Sequence, residues 1–279
     1  MNRLKINILL FGFILILGCS KEYSSDMLDF YKVYGSEKKD PSSQLQLLSG
    51  RTVYFGHQSV GFNIIQGIEA WSAETGVPIN IVDTRNFRDV ERPALIHFGI
   101  GQNEDPNSKT DDFVSVLSEM GEDTGAIALF KFCYVDFHDE SDVDPIFEYF
   151  KEKMLQLKVD YPGIRVVLCT VPYTALQKGI KAVAKKVLSM PLAGELENIK
   201  RSEFNERLIS ELGPEFPVFD LGKIEATMPD GTLNTYKHEG ETYPAMVHQY
   251  TDDLDHLNTL GSRIMAYNII SFLSELPEN

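Results

Sequence analysis

Residues 126–134 read Ala-Ile-Ala-Leu-Phe-Lys-Phe-Cys-Tyr, and residues 164–171 read Ile-Arg-Val-Val-Leu-Cys-Thr-Val. Continuous apolar runs of this length are typical of strands buried on both faces of a sheet. Between the two runs, residues 144–159 carry apolar side chains at helical spacing. A strand, a helix and a second strand in this order indicate a parallel β-α-β unit.

The same alternation continues on both sides of this unit. Further strands are predicted at residues 51–55, 78–82 and 217–221, and further helices at 62–75, 111–120, 195–212 and 260–276. Asp111 is a suitable cap for its helix, and the stretch 85–109 is read as polar and without a strand. We expect an α/β fold of three layers, a flavodoxin-like α/β/α sandwich around a five-stranded parallel sheet. In such sheets, ligands bind beyond the carboxyl ends of the strands.

The N-terminus has the pattern of a secretory signal. Arg3 and Lys5 precede an apolar run at residues 6–17, which is shorter than the roughly 20 residues of a membrane span. The run ends in Ile-Leu-Gly-Cys at residues 16–19 and resembles the lipobox of bacterial lipoproteins. This resemblance implies that residues 1–18 are removed and that Cys19 carries lipid, which would place the protein outside the cytoplasm on the bacterial cell envelope. An ordinary signal peptide or an anchor helix is the alternative.

Residues 19–48 are mostly polar and are read as a flexible tether, which leaves residues 49–279 as the folded domain. The net charge of −15 argues against nucleic acid as a partner and against adhesion to anionic lipid. Membrane contact is therefore expected through the N-terminal lipid only, and the oligomeric state stays open. No Cys or His spacing indicates zinc, and we expect neither a metal nor a cofactor. Cys133 and Cys169 lie in apolar runs, which favours buried free thiols over a disulfide.

One candidate site segment, residues 55–61, reads Phe-Gly-His-Gln-Ser-Val-Gly and joins the first strand to the first helix. Gly56 and Gly61 permit a tight turn. Ser59 then lies near a helix N-terminus, where backbone N–H groups favour negative charge. Ser59 is therefore a candidate nucleophile whose own amide would help form an oxyanion hole. The alternative is that Ser59 only caps the helix.

A second candidate segment precedes the last helix and contains Asp253 and His256. A separation of three residues in a turn lets a carboxylate reach an imidazole and orient it as a general base. The alternative is an acidic surface loop that carries a histidine by chance.

Together the two segments resemble the SGNH/GDSL hydrolase superfamily. Its members carry the nucleophile after the first strand and a late D-x-x-H block, matched here by Asp253 to His256, with Leu257-Asn258 and then Gly261 following. The resemblance covers residues 50–275 or so, and the Gly-His-Gln-Ser-Val-Gly block is atypical for it. It implies a serine hydrolase with Ser59, His256 and Asp253 as its catalytic triad and no cofactor.

The departures from the family pattern concern the oxyanion hole. His57 replaces the usual Asp, and the extra Gln58 shifts the serine by one position. The resemblance implies a glycine amide donor, for which Gly101 is the candidate and Gly99 the alternative. Val135 stands where the family carries an Asn donor, so Asn103 is the candidate replacement.

Polar residues that follow strand ends are expected to bind the substrate: His57, Gln58, Tyr134 and Asp136. For His57, orienting Ser59 or making a structural hydrogen bond to the neighbouring strand is the alternative. Lys131 is read as reaching solvent at the sheet edge, or else as facing the site. The favoured function is hydrolysis of an extracytoplasmic acyl ester, such as an acylated carbohydrate. The alternatives are a non-catalytic glycan-binding or assembly lipoprotein and a metal-dependent hydrolase that uses Asp83 with Asp253 and His256.

Overall fold

The computed structural model describes residues 40–120 and 124–277 of the chain. Within these residues the centre is a parallel sheet of six strands, in the order β2-β3-β1-β4-β5-β6. The strands are β1 (Val53–His57), β2 (Ile81–Asp83), β3 (Leu95–Gly99), β4 (Ile127–Phe130), β5 (Arg165–Cys169) and β6 (Val218–Phe219).

Helices cover both faces of the sheet. They are α1 (Ser42–Ser49), α2 (Val60–Thr75), α3 (Pro106–Met120), α4 (Val143–Asp160), α5 (Ile180–Val187), α6 (Glu195–Arg207), α7 (Leu221–Ala226) and α8 (Thr259–Glu275). Successive residues of a strand point to opposite faces, so Phe55 packs with α2 and α8 while Tyr54 packs on the side of α3, α4 and α6. The predicted three-layer α/β/α arrangement is confirmed.

The sheet has one strand more than the five predicted. The additional strand is β3, which lies between β2 and β1 and pairs in parallel with both. It falls inside the stretch 85–109 that was read as polar. Its apolar run is short and lies between charged residues, so the sequence pattern does not indicate a strand. In the structure Leu95, Ile96 and Phe98 are fully or almost fully buried.

Helix α3 begins at Pro106, five residues before the predicted cap Asp111. Proline is favoured at the first helical position because the N–H it lacks would have no partner there. Asp111 is therefore an internal residue, and its carboxylate accepts a hydrogen bond of 2.6 Å from the Tyr149 hydroxyl. A hairpin that was not predicted, β7 (Thr235–His238) with β8 (Glu241–Pro244), stands apart from the main sheet.

The described chain begins with α1, whose Leu45 and Leu48 are buried in the same core as α2 and α8. This helix occupies residues that were read as part of the tether. Arg51 next to it donates a hydrogen bond of 2.6 Å to the carbonyl oxygen of Leu276. The predicted signal sequence and Cys19 lie outside the described residues. No helix in the described part of the chain is long and apolar enough to cross a membrane.

The parallel strands end in line at one edge of the sheet. His57 at the end of β1 pairs with Gly99 at the end of β3, and Gly56 pairs with Phe130 at the end of β4. The loops that follow these strands are therefore neighbours, as the rule for parallel sheets requires. Ser59 lies in the first of these loops.

Candidate active site

Ser59 occupies the sharp turn between β1 and α2. Its backbone has φ 51° and ψ −109°, a region that non-glycine residues rarely adopt. Its side chain makes no capping hydrogen bond to the helix, so the capping alternative is wrong. Instead, Ser59 Oγ lies 2.6 Å from His256 Nε2. Backbone strain of this kind is characteristic of functional turns.

His256 and Asp253 form the second half of the arrangement. His256 Nδ1 lies 2.8 Å from Asp253 Oδ2, and the His256 amide donates to Asp253 Oδ1 at 2.7 Å. Burial acts to raise the pKa of Asp253, but hydrogen bonds from the His256 and Asp255 amides and the His256 ring outweigh it. The pKa is therefore well below its usual range, and Asp253 is a permanent carboxylate at neutral pH.

This geometry fixes what the imidazole can do. A carboxylate at Nδ1 favours the tautomer with its proton on that nitrogen, which leaves Nε2 as an acceptor. Nε2 faces the Ser59 hydroxyl and is within the distance at which a base removes a proton. The structure thus brings together Ser59, His256 and Asp253, although Ser59 and His256 are 197 residues apart in the sequence.

For His57 the sequence left open substrate binding or a structural hydrogen bond to the neighbouring strand, and its fully buried side chain favours the structural role. Its Nε2 lies 3.3 Å from Nδ1 of His97 on the neighbouring strand. Burial, helped by Lys131 and His97, lowers the pKa of His57 to about 2, so the ring is neutral. A Cβ on Gly61 would lie 2.2 Å from His57 Nδ1. His57 therefore supports the turn under Ser59, and Gly61 makes room for it.

Gln58 and Asp136 were also predicted to bind the substrate, and both are used inside the fold. The Gln58 side-chain amide donates to the carbonyl oxygens of Ile100 and Gly101. Asp136 is buried, lies 2.7 Å from Lys109 Nζ through each carboxylate oxygen, and accepts the Cys133 amide. Both side chains therefore connect loops at the sheet edge.

The predicted oxyanion donors have mixed outcomes. The Gly101 amide donates 2.7 Å to Asp112 Oδ2, so the structure does not leave it available. The Asn103 side-chain oxygen accepts from Lys109 Nζ at 2.8 Å, and the residue is exposed. At the start of α2 the amides of Gly61 and Phe62 bond to Gln58 and Ser59, whereas the Ser59 amide has no acceptor within the described residues.

Tyr134 is the predicted binding residue that lies in the site. Its hydroxyl is 3.3 Å from His256 Nε2, the nitrogen that Ser59 Oγ also contacts. Burial, with the carboxylates of Asp255 and Asp253, raises the pKa of Tyr134 to about 12. The hydroxyl therefore stays protonated at physiological pH and can donate a hydrogen bond. Arg201, which sequence reasoning missed, donates 3.0 Å to the Tyr134 carbonyl oxygen and holds this residue in place.

Two buried ionisable side chains lie behind the site. The favoured expectation that Lys131 reaches solvent is wrong. Its side chain is fully buried and donates to the carbonyl oxygens of Phe132 (2.7 Å) and Gln58 (3.3 Å). Glu225 on α7 is also fully buried and accepts the Tyr173 amide at 3.0 Å. Burial raises the pKa of Glu225 to about 8. No pattern in the sequence singles out Glu225, because its helix is only six residues long.

Cys133 and Cys169 are both free and buried, as favoured from the sequence. Among the described residues, no three His, Cys, Asp or Glu side chains are grouped as metal ligands would be. Asp83 lies at the end of edge strand β2, beside His97, and is not part of the Asp253–His256 pair.

No protein-family model matches the sequence, and a comparison with curated proteins gives no match. Solved structures give distant similarities. A Streptococcus pneumonia protein assigned as a platelet activating factor is 11% identical, with a TM-score of 0.47, and the match covers 88% of this chain and 96% of that one. The CTD of the Drosophila Oskar protein is 13% identical, with a TM-score of 0.44, over 86% and 97% of the two chains. The periplasmic domain of a lipopolysaccharide acetyltransferase from Salmonella ser. Paratyphi A is 12% identical, with a TM-score of 0.42, over 85% and 97%. Similarities this distant leave the chemistry to be inferred from the side chains of the chain itself.

Proposed function

We propose that this protein is a serine hydrolase that cleaves acyl esters, with Ser59 as nucleophile, His256 as general base and Asp253 as the group that orients the imidazole. The observation that carries the proposal is the continuous contact from Ser59 Oγ to His256 Nε2 and from His256 Nδ1 to Asp253. A neutral serine needs a base within hydrogen-bond reach, and a base needs a partner that fixes its tautomer.

The reaction follows from these contacts. His256 Nε2 takes the Ser59 proton as Oγ bonds to the ester carbonyl carbon, and Asp253 stabilises the resulting imidazolium. The tetrahedral intermediate collapses when the C–O bond to the alcohol breaks and His256 gives its proton to the departing oxygen. Water then attacks the acyl-Ser59 ester while His256 accepts its proton. Return of that proton to Ser59 Oγ releases the carboxylic acid.

The negative oxygen of the intermediate needs donors. The Ser59 amide at the N-terminus of α2 is one, because helix N-termini favour negative charge. The Tyr134 hydroxyl is the second, since it contacts the same His256 nitrogen as Ser59 Oγ and stays protonated. In this proposal it replaces the Asn that Val135 displaces, and Asn103 is the third candidate. An acylated carbohydrate outside the cytoplasm is the proposed substrate, on the basis of the family resemblance and of the predicted export signal.

The alternative function is a glycan-binding or assembly protein without catalysis. The engaged Gly101 amide favours it, because one expected oxyanion donor is absent. Reaction with a fluorophosphonate separates the two functions. We expect a stable adduct on Ser59, located by peptide mass spectrometry, and no labelling of Ser59→Ala or His256→Ala. A folded protein that neither labels nor hydrolyses p-nitrophenyl acetate would overturn the esterase proposal.

A further inference from the structure

The segment between Leu176 and Gly194 differs in charge from the rest of the molecule. It carries four lysines and no Asp or Glu, although the whole chain has 41 acidic residues and 26 Lys and Arg residues. The lysines are Lys178, Lys181, Lys185 and Lys186. The negative charge of the whole chain therefore conceals a local positive region.

The same segment exposes apolar side chains. Ile180, Val183 and Val187 of α5 are 91%, 62% and 79% exposed, and the next turn adds Leu188 and Met190. Residues 180–190 contain half of the large apolar side chains that are exposed in the described part of the chain. Contiguous apolar surface of this kind marks an interaction site rather than ordinary surface.

Helix α5 places the lysines and the exposed apolar side chains on different sides of the same helix. Ala182 is the buried residue of the helix. At about 100° per residue, Ile180, Val183 and Val187 lie on the side opposite Ala182. Lys181 and Lys186 lie between the two sides, one on each border of the apolar face, whereas Lys185 lies on the side of Ala182. The apolar face therefore points away from the protein, with positive charge on both of its borders.

The two ends of the segment lie next to each other. The Gln177 amide donates to the Ala193 carbonyl oxygen at 3.3 Å, so both ends leave the domain together. A cavity of about 500 Å³ lies between the later part of the segment and the β7–β8 hairpin, and Met190 and Tyr236 are among the residues that line it. The base also lies against the site, since the Ala175 amide donates 2.8 Å to the Leu254 carbonyl oxygen.

We propose that residues 178–190 form a docking element that binds the surface of a membrane containing anionic phospholipid. An apolar face bordered by lysines is the pattern of helices that lie in the membrane interface, where the face enters the acyl-chain boundary and the ammonium groups meet phosphates. Charge complementarity selects the anionic lipid. The element is anchored beside Leu254, so the docked protein would hold the loop of Asp253 and His256 close to the lipid surface.

The test uses the full chain with Val187→Trp as a reporter and Val159→Trp as its matched control. Val159 on α4 is 72% exposed, no other large apolar side chain of α4 is exposed, and the native Trp71 is fully buried. On phosphatidylcholine vesicles that contain phosphatidylglycerol and brominated acyl chains, we expect a blue-shifted and quenched emission for Val187→Trp only. Because quenching reports on position 187, membrane contact made by the N-terminus does not produce it.

Lysine substitutions test the charge. Lys181→Gln with Lys186→Gln, made in the reporter chain, should weaken vesicle affinity roughly tenfold or more, because each lysine near an anionic surface contributes on the order of 1 kcal/mol. Lys158→Gln with Lys223→Gln removes the same charge elsewhere and should change the affinity little. Equal quenching of the two reporters, or equal binding to neutral vesicles, would overturn the proposal. So would a blue shift without vesicles that grows with protein concentration, which indicates self-association. No substrate is present, so the outcome is independent of the esterase proposal.

Discussion

Ser59 combines a strained backbone with a side chain committed to another residue. A non-glycine residue at φ 51° costs on the order of 1–3 kcal/mol, and the surrounding contacts must hold it there. His57 below the turn and Gln58 beside it supply those contacts. The turn aims Oγ at His256 across a distance that no local sequence feature specifies. At this scale, chemistry is set by a few hydrogen bonds.

The first prediction concerns Ser59 and His256 as a unit. Ser59→Ala and His256→Ala should each remove nearly all ester hydrolysis, since either change abolishes the same proton transfer. The double variant should be scarcely slower than either single one, because effects within one unit are strongly non-additive. Asp253→Ala should retain more activity. Measurement of kcat/KM for the four variants tests this prediction. A double variant whose loss of kcat/KM equals the product of the two single losses would contradict it.

The second prediction concerns Tyr134. Tyr134→Phe keeps the ring and removes the hydroxyl, so kcat should fall about 10²-fold with little change in KM, as when one oxyanion donor is lost. Tyr149→Phe, which removes a surface hydroxyl bonded to Asp111, is the control and should leave kcat unchanged. A rise in KM at constant kcat would instead assign Tyr134 to substrate binding.

The third prediction concerns the pH dependence of stability. The pKa of Glu225 is raised from 4.5 to about 8, so between these values the folded state keeps a proton that the unfolded state releases. Its contribution to the free energy of unfolding therefore falls as pH rises through this window, by at most about 1.4 kcal/mol per pH unit. Glu225→Gln should gain stability over the wild type steadily from pH 5 to pH 8 in urea titrations. Glu241→Gln, on the exposed hairpin, should show no such trend.

At the scale of elements, the buried Lys109–Asp136 pair connects α3 to the turn after β4. Lys109 also bonds to Asn103, and Asp136 also accepts the Glu104 amide at 3.1 Å. The loop after β3 and the turn after β4, whose strands lie on either side of β1, are thereby fixed to each other. This arrangement is why Asp136, a strand-end residue like Tyr134, is unavailable to a ligand.

The fourth prediction is that Asp136→Asn lowers the free energy of unfolding by about 3–5 kcal/mol, because it leaves the Lys109 charge buried and unpaired. Asp144→Asn is the matched control. Asp144 pairs with Arg207, but its side chain is 78% exposed, so the loss should be about 1 kcal/mol or less. Denaturant titration measures both values. Similar small losses would show that water reaches the Lys109 ammonium group.

Elements with a strong hydrophobic pattern were predictable from the sequence, and β3 was not. Its apolar core of residues 94–98 is short and lies between charged segments, so periodicity does not reveal it. The Ser59 and His256 segments were predictable because turn glycines and the Asp–x–x–His spacing are local features. The bond from Gly101 to Asp112 and the burial of His57 and Asp136 were not predictable, since each depends on contacts between separate elements.

At the scale of the whole molecule, the first and last helices of the described chain pack together. Leu45 and Leu48 of α1 share a core with Leu273 and Leu276 at the end of α8. Arg51 adds hydrogen bonds to the last turn of α8 and the residue beyond it. The N-terminal helix is therefore a part of the core on which the α2–α8 layer depends.

The fifth prediction follows from this packing. Leu48→Ala should destabilise the whole fold by about 2–5 kcal/mol, as expected for a buried leucine that leaves a cavity. Leu47→Ala is an ideal control, because Leu47 is in the same helix but 58% exposed, and it should cost little. The melting transition should stay single and move down in temperature for Leu48→Ala alone. Equal melting of both variants would show that α1 is peripheral.

The contact between α1 and α8 also bears on connectivity. Because Arg51 just after α1 bonds to Ser274 and Leu276, a linker long enough to run back along α1 could join residue 277 to residue 40, and new termini could be opened at the exposed Asp230–Gly231 turn. In such a circular permutant His256 would precede Ser59 by only about 40 residues plus the linker, instead of following it by 197. The same site would then be assembled from near neighbours in sequence. Folding is faster when contacting residues are closer in sequence. The rate at which this site forms therefore depends on where the termini of the chain lie.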